Sequence, residues 1–339
     1  MTHALVGSYT EPGMGDGRGV SRLELGYDGL LGTVQGVSKG VRNPSFLALD
    51  ADTLYAVEEL AEGQLAELDP LTLEVRRRMP TLGSDPCHVV VHAGHVLAAN
   101  YSSGTAAVLG TAAGDDAGDG AVYVLEHQGS GPVSVRQGSS HAHQTVPTPW
   151  GTVLVSDLGA DRVDEYALAS SGRYELLRSA ELPPGTGPRH VVISGDFLLV
   201  AGELDAQLHV LRLVDDLWIW QRRVPMVGPD APPSDPAPGV YPSHIELGPD
   251  GGKLYAAIRG SNTLAVFDVS VPEMPRLAVQ VHSGGNWPRH FALGNNKVYV
   301  ANQLSNNVAV FELDAHGHPG VDPVQTLEIG SPTCVVLVA

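Results

Sequence analysis

Apolar residues fall along this chain in short unbroken runs, without the three-and-four spacing of an amphipathic helix. The pattern is clearest between Gly187 and Leu211. Val191-Val192-Ile193 is followed by Leu198-Leu199-Val200-Ala201 and then by Leu208-His209-Val210-Leu211, with polar bends between the runs. Runs this short, punctuated by Gly, Pro and Asp, predict β-strands joined by tight turns. Pro188-Arg189-His190 stands in front of the first run, and Glu203 sits at the second bend.

The same phrase recurs along the chain. One copy opens at Asn43-Pro44 and passes through Leu54-Tyr55-Ala56-Val57; the next opens at Asp85-Pro86-Cys87-His88. A third has His141-Ala142-His143 where its neighbours have Pro-x-His. The Gly187 stretch is the fourth, Tyr241-Pro242-Ser243-His244 opens the fifth, and Trp287-Pro288-Arg289-His290 opens the sixth. The seventh is split. Its first strand follows Ser331-Pro332, and its second and third are found at Ala4–Tyr9 and Val20–Leu25. A fourth strand falls in the variable piece between copies, as at Glu74–Met79 and Trp218–Arg222.

Seven units in this length give about 48 residues each, the size of a four-stranded propeller blade. The sequence therefore predicts an all-β, seven-bladed β-propeller, residues 1–339 as a single domain. Its N- and C-terminal strands would pair in one antiparallel blade and close the circle. A solenoid would instead need polar caps at both ends. Two inserts, Gly110–Gly120 and Pro229–Gly239, read as surface loops that could shade one face.

Charge narrows the range of partners. The formal net charge is −18, which repels polyanions and excludes nucleic acid as a partner. The start of the chain has no basic apolar leader and no run is long enough to span a membrane, so a soluble, cytoplasmic protein without membrane contact is expected, as monomer or homodimer. Cys87 and Cys334 have no neighbour at metal-ligand spacing and read as reduced, buried thiols.

In a propeller the first strand of every blade lines the central channel, so His88, His143, His190, His244 and His290 would gather at one mouth. The bend after each second strand would add Glu59, Tyr101, Asp157, Glu203, Arg259 and Gln303. A recurring His is ordinarily structural, its ring nitrogens bonding the backbone of a neighbouring blade. The pattern breaks at His141-Ala142-His143, where a second imidazole appears. Arg189 and Arg289 precede their histidines, and backbone carbonyls are their ordinary partners. Arg259 stands where other copies carry Tyr, Glu or Gln, and with Glu203 it forms a set of buried charges that need partners or a ligand. No zinc signature, nucleophile elbow, phosphate loop or dinucleotide fingerprint is present, so neither metal nor cofactor is expected. The Gly/Asp run at 114–120 resembles a calcium loop in composition only.

Taken together, Gly187-Pro188-Arg189-His190 with Glu203, Tyr241-Pro242-Ser243-His244 with Arg259, the His-x-His with Asp157–Val163, and the closing Gly330-Ser331-Pro332 resemble the seven-bladed propeller lactonases. That family includes the bacterial propeller-type 6-phosphogluconolactonases and the fungal carboxy-muconate lactonizing enzymes. The resemblance implies a metal-free site of one His, two Arg and one Glu. These fall on His143, with His141 the competing choice, and on Arg189, Arg259 and Glu203. Gly202 departs from the Asn that the family often has before this Glu. The implied substrate is a small anionic sugar lactone, hydrolysed by water that His143 activates as base, with Glu203 orienting that imidazole or sharing the proton work. Arg189 and Arg259 would hold the oxyanion or the substrate's anionic group. His141, Asp157, His190, His244, Arg289 and Gln303 would be further contacts at the mouth, His190 being the one expected to be structural. A cycloisomerase acting on a muconate-like diacid and a non-catalytic binding platform are the alternatives.

Overall fold

A computed structural model of the chain describes residues 2–110, 122–229, 231 and 239–338, so most of the two long inserts lies outside the described residues. Every helix or strand element among them is a strand, and no helix is long and apolar enough to cross a membrane. The strands form seven four-stranded sheets. Six of these follow chain order, as in Pro188–Ser194, Phe197–Gly202, Gln207–Val214 and Leu217–Pro225.

The seventh joins the two ends of the chain. Pro332–Val338 pairs antiparallel with His3–Ser8, which continues to Val20–Leu25 and Leu31–Val37. Ala4 faces Leu337 and Gly7 faces Cys334 across this pairing, with a register shift after Gly7. The seven-blade fold class and the split repeat are thus borne out.

Why the apolar residues come in runs is visible in the burial of each strand. The second strands, such as Thr152–Asp157 and Phe197–Gly202, are buried along their whole length. A strand covered on both faces needs no polar alternation. The fourth strands are half exposed, and Leu217–Pro225 mixes buried Trp218 with exposed Leu217 and Ile219.

The chain divides into two compact units. The first comprises Met1–Ala56, Glu67–Arg77 and Val224–Ala339. Its core includes Val6, Leu23, Tyr299, Val310 and Val335 in one cluster and Tyr255, Phe267, Phe291 and Phe311 among its buried aromatics. The second comprises Val57–Ala66 and Arg78–Arg223. Leu97, Val108, Val155 and Tyr166 pack together there, as do Leu154, Val191, Leu198, Leu211 and Trp218.

One backbone device sets up the functional positions. Asn43, Asp85, Gly187, Trp287 and Ser331 each precede the proline that opens a first strand, and each has a left-handed φ between 40° and 64°. At four of these the carbonyl then accepts the N–H of the bend after the second strand. Asp85 O receives Tyr101 N at 3.0 Å, Gly187 O receives Glu203 N at 2.8 Å, Trp287 O receives Gln303 N at 3.1 Å and Ser331 O receives Tyr9 N at 3.0 Å. In the third copy His141 O receives Leu158 N at 2.9 Å. The bend position there is therefore Leu158, and Asp157 lies one residue earlier than the repeat alignment placed it.

Candidate active site

The first strands are irregular where they open, and there His143 falls at the position of Cys87, Arg189 and Arg289 rather than at that of the recurring histidine, which Gln144 takes, its Oε1 accepting Val191 N at 2.7 Å. The pairing of first and second strands shifts register between Pro86 and His88, Ala142 and Gln144, Pro188 and Val191, Pro242 and Ile245, and Pro288 and His290. A bulge at a strand end re-aims the side chain it carries. The imidazoles of His88, His143, His190, His244 and His290 are all buried. His88 Nδ1 accepts the backbone N–H of Thr145 at 3.4 Å, and His290 Nδ1 accepts that of Val335 at 3.3 Å. These two ring nitrogens serve a neighbouring sheet's backbone.

Within the second unit, Glu203 is the centre of a charged cluster. Its carboxylate is 2 % exposed and lies between two guanidiniums, with Arg189 Nε 3.0 Å from Oε2 and Arg136 Nη2 2.5 Å from Oε1. The same Nη2 of Arg136 donates to the Tyr101 hydroxyl at 3.1 Å. Arg136 Nε and Nη1 have no protein partner among the described residues, and the side chain is half exposed. Burial acts to lower the Arg136 pKa, but the Glu203 charge and the Tyr101 hydroxyl outweigh it and hold the group above its ordinary value. Burial raises the Tyr101 phenol despite the Arg136 hydrogen bond.

Two imidazoles adjoin this cluster through Tyr101. The His141 ring stacks on the Tyr101 ring at 4.5 Å with an interplanar angle of 17°, and the His143 ring meets it edge-on at 5.5 Å. His141 Nδ1 lies 2.9 Å from the Tyr101 carbonyl oxygen. A carbonyl only accepts, so Nδ1 carries the proton and a neutral His141 presents Nε2 as its acceptor. His143 lies deeper, against His190 at 5.8 Å and with Nδ1 3.8 Å from Cys87 Sγ.

Loop anchoring explains how Arg136 reaches Glu203. Buried Gln137 donates to the Leu158 carbonyl at 2.9 Å and to Asp161 at 2.7 Å. Asp161 also accepts the N–H groups of Gly185 and Gly187 at 2.7 and 2.8 Å. One carboxylate thus fixes both the segment carrying Arg136 and the turn leading into Arg189. Nothing in the repeat marks Arg136, because it lies in an aperiodic stretch between the second and third copies. The only signal was indirect: a Glu in an apolar repeat requires a cationic partner.

Asp157 is fully buried, and its Oδ1 accepts the N–H groups of His141, Gly159 and Ala160 at 2.8 to 3.1 Å. It shapes the turn beneath His141. Among the described residues, no three His, Cys, Asp or Glu side chains gather where they could hold a metal ion.

The remaining candidates lie in the first unit. Arg259, 7 % exposed, donates from Nε to the Tyr241 carbonyl at 3.2 Å and from Nη2 to that of Pro242 at 3.4 Å. Its Cζ lies 5.4 Å from the Trp287 ring and 6.0 Å from the Tyr241 ring. Arg289 donates to Gln303 at 3.3 Å and covers Tyr9 at 4.9 Å. His244 stacks on His290 at 4.0 Å and lies 3.6 Å from Glu246. The structure thus brings His141, His143, His190, Arg189 and Glu203 together in the second unit, and groups Arg259, His244, Arg289 and Gln303 within the first.

Comparison with known proteins is consistent over the whole length. The family model described as "Lactonase, 7-bladed beta-propeller" matches residues 3–337. A Bacillus subtilis protein named 6-phosphogluconolactonase is 29 % identical over 347 residues, covering 97 % of this chain and 96 % of that one. A periplasmic gluconolactonase of Pseudomonas aeruginosa superposes with a TM-score of 0.86 at 30 % identity, covering 100 % of this chain and 99 % of its own. A Lactobacillus plantarum protein of solved structure superposes with a TM-score of 0.87 at 31 % identity, over 98 % of both chains.

Proposed function

Because this chain belongs to the seven-bladed β-propeller lactonase family, we propose that it hydrolyses a small anionic sugar lactone of the 6-phosphogluconolactone kind. The observation that carries this reading is the Arg136–Glu203–Arg189 cluster beside Tyr101 and two imidazoles. Two guanidiniums around one carboxylate leave a local positive charge in a chain of net charge −18. That excess suits an anionic substrate or an oxyanion, which a planar guanidinium binds through paired donors.

In the proposed reaction a water oxygen attacks the lactone carbonyl while an imidazole takes its proton. The carbonyl oxygen becomes an oxyanion facing a guanidinium. The bond from the carbonyl carbon to the ring oxygen then breaks, and the imidazolium returns its proton to that oxygen to give the open hydroxy acid. His141 suits the base better than His143, since its Nδ1 is committed to the Tyr101 carbonyl and its Nε2 is the open acceptor. Arg189 serves the oxyanion. Glu203 acts through the guanidiniums it fixes, and Arg136 offers its uncommitted N–H groups to the substrate's anionic substituent.

The test is hydrolysis of 6-phosphogluconolactone at controlled pH, corrected for spontaneous opening. A general base contributes about 10² to 10⁴ in rate and loses it as its imidazole protonates. His141→Asn is expected to lose at least about a hundredfold in kcat together with the acid limb of the pH profile, while His143→Asn keeps that limb. Both variants within about threefold of wild type would rule out imidazole catalysis here.

A further inference from the structure

The outer strand of the fourth sheet, Leu217–Pro225, is the longest strand among the described residues and forms the edge of its sheet. An unpaired edge is a template for another strand, and proteins blunt it by shortness or by charge. Other outer strands of this chain follow that rule: Val75–Pro80 carries Arg76, Arg77 and Arg78, and Tyr123–Glu126 and Gln325–Glu328 have four residues each. The first half of Leu217–Pro225 has neither device, and Leu217, Ile219 and Trp220 are exposed along it. Buried Trp218 anchors the strand by donating to Glu165 at 2.8 Å. Arg178 bonds the same carboxylate and the Asp216 carboxylate at 3.2 Å, which ties this edge to the neighbouring outer strand Tyr174–Glu181 with its exposed Leu176 and Leu177.

Charge along this edge matches itself on reversal. Asp215-Asp216-Leu217-Trp218-Ile219-Trp220-Gln221-Arg222-Arg223 has two acids before its apolar centre and two bases after it. Two such segments set antiparallel and centred on Ile219 place Asp215 opposite the second copy's Arg223, Asp216 opposite its Arg222, and Trp218 opposite its Trp220. A contact about a two-fold axis requires this kind of self-complementarity. The charged groups are open to it. Asp215 is exposed, the Asp216 side chain is 97 % exposed beside Arg178, and Arg223 is half-exposed at 3.6 Å from Asp205. Arg222 Nε is buried with no hydrogen-bond partner among the described residues. Two chains of net charge −18 repel each other, so a contact between copies belongs where the acidic surface is interrupted. From Gln207 to Arg223 there are three arginines against two aspartates.

We propose that this edge is where two copies of the chain associate, their Leu217–Arg223 segments pairing antiparallel about Ile219 so that two sheets become one, with Leu176 and Leu177 flanking the seam. The inference goes beyond the lactonase reading and stands or falls separately from it.

Sedimentation velocity of the full chain tests it. Wild type should dimerise reversibly with a dissociation constant in roughly the micromolar range, the scale of a small contact. Ile219→Lys sets two ammonium groups against each other at the two-fold axis and should be monomeric up to about 100 µM. Because Ile219 is exposed, the melting temperature of that variant at high dilution should stay within about 5 °C of wild type. Asp215→Lys and Arg223→Glu each turn two facing ion pairs into repulsions and should each weaken the dimer by about tenfold or more. Mixed in equal amounts, with one of them dye-labelled, they regain two attractive pairs and should form a heterodimer of near wild-type affinity. Misfolding, or a dimer built on another face, would not give that recovery. A wild type that is monomeric at about 100 µM would overturn the proposal. So would a dimer that Ile219→Lys leaves intact, or a mixture of the two charge variants that associates no more tightly than either alone.

Discussion

Two buried carboxylates show how this chain separates scaffold from site. Glu165, fully buried, accepts from Arg178 Nε at 2.7 Å, Thr152 Oγ1 at 2.6 Å, Trp150 Nε1 at 2.7 Å and Trp218 Nε1 at 2.8 Å. Burial pushes its pKa up, but these donors outweigh burial and hold it at about 2. A carboxyl depressed in this way stabilises the fold above its unfolded pKa of roughly 4.3 and loses that contribution as pH falls toward 2. Glu165→Gln should cost about 3 kcal/mol at neutral pH, since it leaves Arg178 without its buried counter-charge. In denaturant titrations at several pH values, the gap between wild type and variant should shrink as pH drops through that window; a gap independent of pH would contradict this. Glu203 differs because its partners are two guanidiniums, which leaves a positive excess. Glu203 was legible as a candidate because the apolar repeat around it has no place for an unpaired acid. Arg136 was not legible, because a residue in an aperiodic loop acquires its position only through Gln137 and Asp161.

At the scale of strands, the sequence carried most of the fold. Buried second strands impose unbroken apolar runs, and the left-handed residue before five of the opening prolines imposes the turn signature, so the repeat is visible in the sequence. The split seventh copy predicted the pairing of Pro332–Val338 with His3–Ser8. Register within a copy was less legible. The third copy lacks its proline, and the hydrogen bond from Leu158 N to His141 O fixes a bend that the spacing put at Asp157. The bulges where the first strands open left no mark in the sequence either, since a bulge is set by the partner strand. Cys334 makes the terminal pairing measurable. It is fully buried opposite Gly7, and burial pushes its thiol up to about 12. It should resist thiol reagents in native buffer and react only as denaturant frees the terminal strand. Labelling at the rate of an exposed thiol under native conditions would show that the pairing does not persist.

For the chain as a whole, the net charge of −18 gives no sign of which small anion would be the substrate. That information resides in a few arginines, whose convergence depends on residues far apart in sequence. Arg136, Arg189 and Glu203 belong to three different segments, and the likeness to lactonases over residues 3–337 supplies the reaction class that their charges alone do not. The central claim is that this cluster stabilises an anion during lactone opening. Its most direct test is the initial rate of 6-phosphogluconolactone hydrolysis, above the spontaneous rate, for wild type and for Arg189→Ala. Loss of an oxyanion donor should lower kcat by about a hundredfold or more while the melting curve remains cooperative. A wild-type rate equal to the spontaneous one, or an Arg189→Ala rate within about threefold of wild type, would contradict the account.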